Sequence, residues 1–270
     1  MLEAYLRKQR EQKEILLMTH IVLGYPDFDT SLRVVEAMVE SGVELMELQI
    51  PFSEPIADGP VILRANQLAL SGGSTVARCF EFATEVARRF PIPFLFMSYY
   101  NVLFKHGTGA FVKGMAAANL KGAIVPDLPP EEGAEYLDAM SESGLDPIFI
   151  YSPNTKPERL ASLASYGRGF VYCVARKGVT GTRTAFSDDL SAYLTRARAA
   201  TALPLAVGFG VQEKADVDFL RGKADIAVVG SETLRVLDRQ GLAGVRPFLA
   251  GLRWSIKRRS RSLQQPLHQR

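Results

Sequence analysis

The stretch ILLMTHIVLGYPDFDTSLRVVEAMVESGVELMELQI, residues 15–50, sets the pattern of the whole chain. It begins and ends with a continuous apolar run, and such runs are typical of strands buried on both faces of a parallel sheet. Between the runs, the apolar residues of DTSLRVVEAMVESG are spaced to share one helix face, which Gly42 ends. The stretch therefore predicts a strand, a helix and a second strand.

The same alternation continues to the C-terminal part of the chain. Further apolar runs lie at 92–98, 121–127, 146–152, 169–175, 203–209 and 224–230. Amphipathic segments separate these runs, and no Pro/Ser-rich linker divides them. Eight strand–helix units in succession predict an α/β fold, a (β/α)8 TIM barrel, a type that runs to ~250 residues as one domain. An additional N-terminal helix at 2–12 is expected to cover the N-terminal end of the barrel.

A doubly wound open sheet is the alternative α/β arrangement. Its usual marker is a GxGxxG turn after the first strand, and here GYPD at 24–27 follows that strand instead. A barrel is therefore favoured. In a barrel, the catalytic side chains lie at the C-terminal ends of the strands and in the loops that follow them.

Composition indicates a globular protein without special redox or metal chemistry. Of the 270 residues, 47% are hydrophobic and 23% are charged. No apolar run reaches the ~18 residues that span a bilayer, and the charged N-terminus does not resemble a signal peptide, so a cytoplasmic location is expected. Cys79 and Cys173 are too far apart for a metal motif and are expected to be buried free thiols. The three histidines, His20, His106 and His268, form no ligand cluster, so no metal is expected.

The basic residues are concentrated at the C-terminus. The formal net charge is +3, and residues 257–270, KRRSRSLQQPLHQR, contain five basic residues and no acidic one. Residues 1–256 are therefore predicted to form a single, slightly acidic TIM-barrel domain, followed by a disordered basic tail at 257–270. The tail lacks the aromatic residues or motif of a nucleic-acid site, so neither nucleic acid nor membrane is expected as a partner.

Two carboxylates bracket the segment MELQIPFSEPIADGP, residues 46–60. Side chains alternate across a strand, and an unpaired Glu47 would be costly against the helices, so Glu47 and Gln49 are expected to face the barrel axis. Asp58 follows from a proline-rich loop at the same mouth. The pair predicts acid/base machinery, with pKa values raised by apolar surroundings. The alternatives are a salt-bridged Glu47 and an Asp58 that caps the helix starting at Pro60.

Glycine-rich turns follow the last three predicted strands. They are ARKGVTGT at 175–182, GFG at 208–210 and GS at 230–231. Glycines let a backbone approach a phosphate closely, and the last loops of a barrel commonly bind one, so the turns predict a phosphate site. The alternative is that the glycines serve only tight turns. The loop after the sixth strand is expected to be a mobile lid that excludes water, with Thr180 as a hydrogen-bond donor.

Six stretches together carry a resemblance to a known family. They are MELQIPFSEPIADGP, SYYNVLF, GAIVPDLPPEE, SYGRGFVYCVARKGVTG, VGFGV and VVGS. In this order, from the second strand to the eighth, they resemble the tryptophan synthase alpha subunit over roughly residues 1–250. The resemblance implies a lyase of tryptophan biosynthesis that cleaves indole-3-glycerol phosphate to indole and glyceraldehyde 3-phosphate by retro-aldol chemistry. It also implies no cofactor in this chain, a beta subunit that carries pyridoxal phosphate, and an alpha2beta2 tetramer.

The resemblance also implies roles for individual residues. Glu47 would protonate indole C3 and manage the glycerol hydroxyl proton, Asp58 would bind the indole N–H, Tyr172 would lie near Glu47, and Thr180 would contact Asp58 from the closed lid. The implied phosphate-binding positions are Gly181, Gly208, Phe209, Gly210, Gly230 and Ser231. Gly208 is the first glycine of the GFG turn. The implied indole pocket consists of His20, Gln49, Ile62, Tyr99 and Ile124. The implied docking surface for the beta subunit is 51–58 with Asn101, Phe104 and Asn154.

Three positions depart from the family pattern. His20 stands where the family usually has an aromatic residue, Gln49 where it has glycine, and Glu54 where it has aspartate. The first two add polar groups to a pocket for an apolar indole, and Glu54 changes a residue that faces the partner. His20 and Gln49 are expected either to hydrogen-bond each other or Glu47 in a working enzyme, or to mark a divergent paralogue. Such a paralogue would act on a more polar phosphorylated substrate as an aldolase or isomerase, or would be a catalytically weak partner or allosteric subunit.

Overall fold

A computed structural model describes residues 2–175, 188–208 and 210–253 of the chain. Thr180 and Gly181 of the predicted lid lie outside the described residues, as do Phe209 and the basic tail. The expectations for these residues stay predictions.

One parallel sheet forms the centre of the molecule. Its strands are β1 (Leu16–Val22), β2 (Leu45–Gln49), β3 (Phe94–Met97), β4 (Gly122–Ile124), β5 (Asp146–Ile148), β6 (Ile150–Tyr151), β7 (Val171–Val174), β8 (Leu205–Gly208) and β9 (Ile226–Val229). Their order in the sheet is β5-β4-β3-β2-β1-β9-β8-β7-β6. Each strand falls within one of the eight apolar runs, so the positions of the runs are confirmed.

The fifth apolar run supplies two strands and closes the sheet into a barrel. β5 pairs with β4, and β6 pairs with β7 on the other side. Only Phe149 separates β5 from β6, and its carbonyl accepts a hydrogen bond from the Tyr172 N–H at 3.0 Å. The two ends of the sheet are thus one continuous piece of chain. The predicted (β/α)8 TIM barrel is confirmed, and the open doubly wound sheet is excluded.

Helices surround the barrel. They are α1 (Leu2–Gln12), α2 (Phe28–Glu40), α3 (Pro60–Ser71), α4 (Val76–Arg89), α5 (Tyr100–His106), α6 (Thr108–Ala117), α7 (Ala134–Glu142), α8 (Pro157–Tyr166), α9 (Asp188–Ala200), α10 (Lys214–Leu220), α11 (Ser231–Gln240) and α12 (Leu242–Arg253), with a 3-10 turn at Pro130–Glu132. The predicted N-terminal helix is confirmed as α1. Its Leu2 and Leu6 are buried in the cluster of residues that fills the barrel interior, so α1 closes the N-terminal end. Across the described ranges, no helix is long and apolar enough to cross a membrane.

Alternation along β2 decides which side chains reach the barrel interior. Leu45 belongs to the interior cluster, whereas Met46 and Leu48 pack in the layer between strands and helices. Glu47 and Gln49 share the parity of Leu45 and therefore lie on the inner side, as the alternation predicts. This places a carboxyl group at the C-terminal end of the barrel.

Candidate active site

A cavity opens at the C-terminal ends of the strands. Of the residues predicted for the site, those that line it are His20, Glu47, Asp58, Ile62, Ile124, Tyr172, Gly210, Gly230 and Ser231. They come from four strands, from α3 and α11 and from the adjoining loops. The barrel thus brings together residues that are more than 200 positions apart in sequence.

Glu47 is buried in the cavity wall without a compensating charge. Glu47 is only 5% exposed, and its Oε2 accepts no hydrogen bond from any described residue. No ion pair to Glu47 exists within the described part of the chain, so the structure does not support the salt-bridge alternative. Burial, and then the charge of nearby Asp58, raise the pKa of Glu47 to about 8. Glu47 is therefore protonated at neutral pH and can act as an acid.

Asp58 is held by two hydrogen bonds to one oxygen. Nε2 of Gln49 donates to Oδ2 at 2.7 Å, and the hydroxyl of Tyr99 donates to the same oxygen at 2.9 Å. Burial raises the pKa of Asp58 to about 6, while these two bonds act in the opposite direction by stabilising the carboxylate. Asp58 is therefore mostly ionised at pH 7, with its other oxygen, Oδ1, accepting no hydrogen bond from the residues that the structure describes.

The loop that carries Asp58 is fixed by α3 and by prolines. Gly59, not Asp58, is the N-cap of α3, and Pro60 is its first residue. Oδ1 of Asn66 on α3 accepts a hydrogen bond from the Phe52 N–H at 2.8 Å, which ties the loop to the helix. The alternative in which Asp58 caps the helix is therefore wrong, and its carboxylate is available for the cavity.

Gln49 and Tyr99 lie behind Asp58 and do not line the cavity, contrary to the expectation that both belong to its wall. Gln49 is fully buried, and its Oε1 is 2.7 Å from Nε2 of His20. The amide therefore fills the space between His20 and Asp58. His20 and Gln49 were expected to hydrogen-bond either each other or Glu47. The structure shows that they bond each other.

Tyr172 on β7 packs against Gly208 on the neighbouring strand β8. A Cβ atom at Gly208 would lie 2.3 Å from the Tyr172 hydroxyl oxygen, closer than two such atoms can approach. Gly208 is not among the residues that line the cavity. The structure therefore gives it a steric role and not the expected phosphate contact. Burial raises the pKa of Tyr172 well above its usual value, and the charges of Glu47 and Asp58 add to this, so its hydroxyl stays protonated.

Gly208→Ala is expected to displace the Tyr172 ring. This should lower kcat/KM for the cleavage that the resemblance implies by about 10- to 100-fold, because small misplacements of groups at a reacting centre reduce the rate strongly. The free energy of unfolding should fall by only about 1–3 kcal/mol, as is usual for overpacking. Gly109→Ala is the matched control, since a Cβ there meets no atom within 4 Å. Unchanged kinetics in Gly208→Ala would show that the position of Tyr172 does not matter.

Three of the predicted phosphate residues, Gly210, Gly230 and Ser231, lie together at one side of the cavity. Gly230 precedes Ser231, the first residue of the ten-residue helix α11, and Gly210 adopts a φ of 125° after β8. A helix N-terminus presents backbone N–H groups and a partial positive charge, which favour an anion. The geometry is therefore suited to a phosphate group beside the two carboxyls.

Sequence reasoning missed part of the cavity wall. The missed residues include Met97, Pro126, Ile150, Val174, Val211, Gln212 and Val228. Met97, Val174 and Val228 lie at strand ends with the inward parity, so the alternation rule that located Glu47 could have found them. They make the wall largely apolar, as an aromatic ligand requires. Within 2–175, 188–208 and 210–253, no group of three or more His, Cys, Asp or Glu side chains is arranged to hold a metal ion.

Comparisons with known proteins agree with this geometry. A family model described as tryptophan synthase alpha chain matches residues 6–246. The tryptophan synthase alpha chain of Desulforapulum autotrophicum is 67% identical over 252 residues, which cover 93% of this chain and 100% of the relative. Mycobacterium tuberculosis tryptophan synthase has a chain of similar structure, with a TM-score of 0.88, 33% identity, and coverage of 95% and 98% of the two chains. A chain in the tryptophan synthase complex of Pyrococcus furiosus matches with a TM-score of 0.82, 29% identity, and coverage of 89% and 98%.

Proposed function

Because this chain belongs to the tryptophan synthase alpha chain family, we propose that Glu47 and Asp58 are the catalytic carboxyl groups of its reaction. The chain is a lyase that cleaves indole-3-glycerol phosphate to indole and glyceraldehyde 3-phosphate. The observation that carries the proposal is a pair of carboxyls in one apolar cavity, with pKa values raised to about 8 and about 6. Such a split pair provides an acid and a fixed negative charge at neutral pH.

Glu47 supplies the proton transfers of the retro-aldol cleavage. Its protonated carboxyl donates a proton to indole C3, which leaves the ring nitrogen positively charged. The resulting carboxylate accepts the proton of the hydroxyl on the adjacent glycerol carbon while the carbon–carbon bond breaks. The bonding electron pair returns to the ring, so the products are indole and an aldehyde, and Glu47 ends protonated as it began.

Asp58 stabilises the charge that develops at the ring nitrogen. Since Gln49 and Tyr99 both occupy Oδ2, Oδ1 is the oxygen that accepts the indole N–H. A preorganised carboxylate in an apolar site stabilises a transient cation more strongly than water does. The neutral hydroxyl of Tyr172 donates a hydrogen bond to the Glu47 carboxylate when that group forms.

The substrate lies across the cavity from the phosphate to the indole. We assign the phosphate to Gly210, Gly230 and Ser231, and the resemblance adds Gly181 and Phe209. Ile62 and Ile124 line the same cavity and offer apolar surface to the indole ring. The resemblance also assigns Thr180 a contact with Asp58. Binding the phosphate at one end orients the reacting carbon at the other.

The partner is the tryptophan synthase beta subunit, in an assembly of two alpha and two beta chains. Ile56 and Phe104 support a docking surface near 51–58, because they are large hydrophobic side chains that are 74% and 67% exposed. Such exposed residues are typical anchors of protein interfaces. Glu54 is exposed in the same loop, at the position where the family usually has aspartate.

Cofactor and location follow from the same assignment. We propose that this chain holds no cofactor and that pyridoxal phosphate belongs to the beta subunit, since Glu47 accounts for every proton transfer of the cleavage and Asp58 for the charge at the ring nitrogen. We also propose a cytoplasmic location. Cys79 and Cys173 are buried free thiols, a state that suits a reducing compartment.

The pH dependence of indole release tests the proposed function. Catalysis needs Asp58 ionised and Glu47 protonated, so kcat/KM is expected to fall as the pH drops below about 6 and as it rises above about 8. The measurement is indole formed from indole-3-glycerol phosphate by the purified chain, with and without a beta subunit, from pH 5 to 10. No indole in either case contradicts the function, whereas indole without the two limbs contradicts only the roles of the carboxyls.

A further inference from the structure

His20 occupies a central position that the proposed chemistry does not use. It lies at the C-terminal end of β1, where its Cα is opposite that of Glu47 on β2. On the other side is Gly230, whose Cβ position would be 4.0 Å from the Cβ of His20. The residue is 3% exposed and borders the cavity. It therefore lies between the acid and the turn assigned to the phosphate.

The hydrogen bonds around His20 determine which ring nitrogen carries the proton. The Tyr99 hydroxyl accepts the Ala57 N–H at 3.1 Å and donates its own proton to the Asp58 carboxylate. The Gln49 amide nitrogen donates to the same carboxylate, so its carbonyl oxygen faces His20 and needs a donor there. Nε2 of His20 is that donor. Burial lowers the pKa of His20 to about 4, so the ring is neutral and Nδ1 keeps its lone pair.

Nδ1 is thus a buried acceptor without a donor among the residues that the structure describes. Buried polar atoms are nearly always hydrogen-bonded, since leaving one unpaired costs free energy. The strand neighbours offer Nδ1 no bond, and the ring borders the cavity. The missing donor is therefore best supplied by the molecule that fills the cavity.

We propose that Nδ1 of His20 accepts a hydrogen bond from a hydroxyl of the substrate's glycerol chain, which makes His20 a specificity-determining residue. The inference rests on the proposed placement of the phosphate at Gly230 and Ser231 and of the reacting carbon at Glu47. The glycerol chain is the part of the substrate between these points, and its two hydroxyls are donors. The indole N–H is already directed at Asp58. His20 thereby distinguishes a diol from its deoxy analogue.

Two variants separate the nitrogens of the ring. His20→Asn places an oxygen near the position of Nδ1 and loses the contact with Gln49, whereas His20→Gln keeps an N–H for Gln49 and loses the acceptor. The readout is the ratio of the Kd of indole-3-propanol phosphate, which lacks both hydroxyls, to the Kd of indole-3-glycerol phosphate. Binding is measured by calorimetry in a Glu47→Gln background that does not turn over. We expect His20→Gln to lower this ratio by about tenfold, the value of one hydrogen bond, and His20→Asn to retain it.

Each other pattern overturns the proposal. If His20 acts only by holding Gln49 against Asp58, the ratio will fall in His20→Asn and persist in His20→Gln. Equal losses, or none, contradict a role for Nδ1. Should a variant fail to fold, the Kd values of the two monodeoxy analogues are measured in the Glu47→Gln protein with native His20. One of the two hydroxyls must then account for the preference for indole-3-glycerol phosphate over indole-3-propanol phosphate, and equal binding of both analogues contradicts the proposal. Cleavage of the substrate by the native chain is unaffected by any of these outcomes, so the proposed function is tested separately.

Discussion

Glu47→Gln is expected to lower kcat for indole release by about 10²- to 10⁴-fold, the usual contribution of a general acid–base. Glutamine has the same size but no proton to give to C3 and no carboxylate to accept the hydroxyl proton. The fold should persist, because Oε2 of Glu47 has no partner among the described residues that the substitution would break. The melting temperature is expected to exceed that of the native chain already at neutral pH. The difference should grow as the pH rises from about 4.5 to about 8 and stay constant above that, because the unfolded carboxyl ionises over this range while the buried one does not.

The sign of that difference follows from the raised pKa. A carboxyl whose pKa is higher in the folded than in the unfolded state disfavours folding increasingly as the pH rises between the two values. Glutamine does not ionise and avoids this loss. Glu44→Gln is the matched control on the approach to β2, because Glu44 is buried and accepts hydrogen bonds from Lys13, Arg253 and the Leu17 N–H. It should lose stability and keep kcat, so a Glu47→Gln enzyme with near-native turnover would refute the assigned role.

Asp58→Asn is expected to lower kcat/KM by about 10²- to 10³-fold, as is usual when one electrostatic stabiliser of a transition state is removed. Gln49 and Tyr99 both donate to the position of Oδ2, so the oxygen of asparagine will remain there. The amide NH2 then occupies the position of Oδ1 and faces the indole N–H, donor against donor. The variant loses both the charge and the hydrogen bond.

The pH profile of Asp58→Asn provides a second readout. The charge of Asp58 raises the pKa of Glu47, so its removal should move the alkaline limb of kcat/KM to lower pH. Tyr99→Phe is the control that keeps the charge and removes one hydrogen bond. That bond lowers the pKa of Asp58, so Tyr99→Phe should move the acid limb to higher pH and retain most of the activity near neutrality. An alkaline limb that does not move in Asp58→Asn would show that the two carboxyls are not coupled.

Much of the barrel could be predicted from sequence because buried parallel strands read as apolar runs. All eight runs contain strands, and the break at Phe149 was missed because hydrophobicity does not show where a strand changes its pairing partner. Alternation also placed Glu47 correctly on the inner side. It fixes only the side of the sheet and not the depth, which is why Gln49 was assigned to the pocket wall although it lies behind Asp58.

Contacts between strands were beyond sequence reasoning. The steric conflict between a Cβ at Gly208 and Tyr172 depends on the register of β7 and β8, in which Val174 is opposite Gly208. A single sequence gives no register for parallel neighbours. The position of Gly208 at the end of β8 therefore suggested a phosphate contact. In the structure, the absence of a side chain at Gly208 makes room for the Tyr172 ring.

The division of the fifth run between β5 and β6 also affects how the ring of strands is assembled. Every pairing in the sheet except that of β1 with β9 joins strands that are consecutive in sequence, and β1 and β9 pair at Leu16 and Ile226. The entropy lost on closing a long loop is therefore concentrated in the single pairing of β1 with β9. Because Phe149 joins the two arcs, strands β1–β5 and β6–β9 can each form from local contacts before the ring is completed.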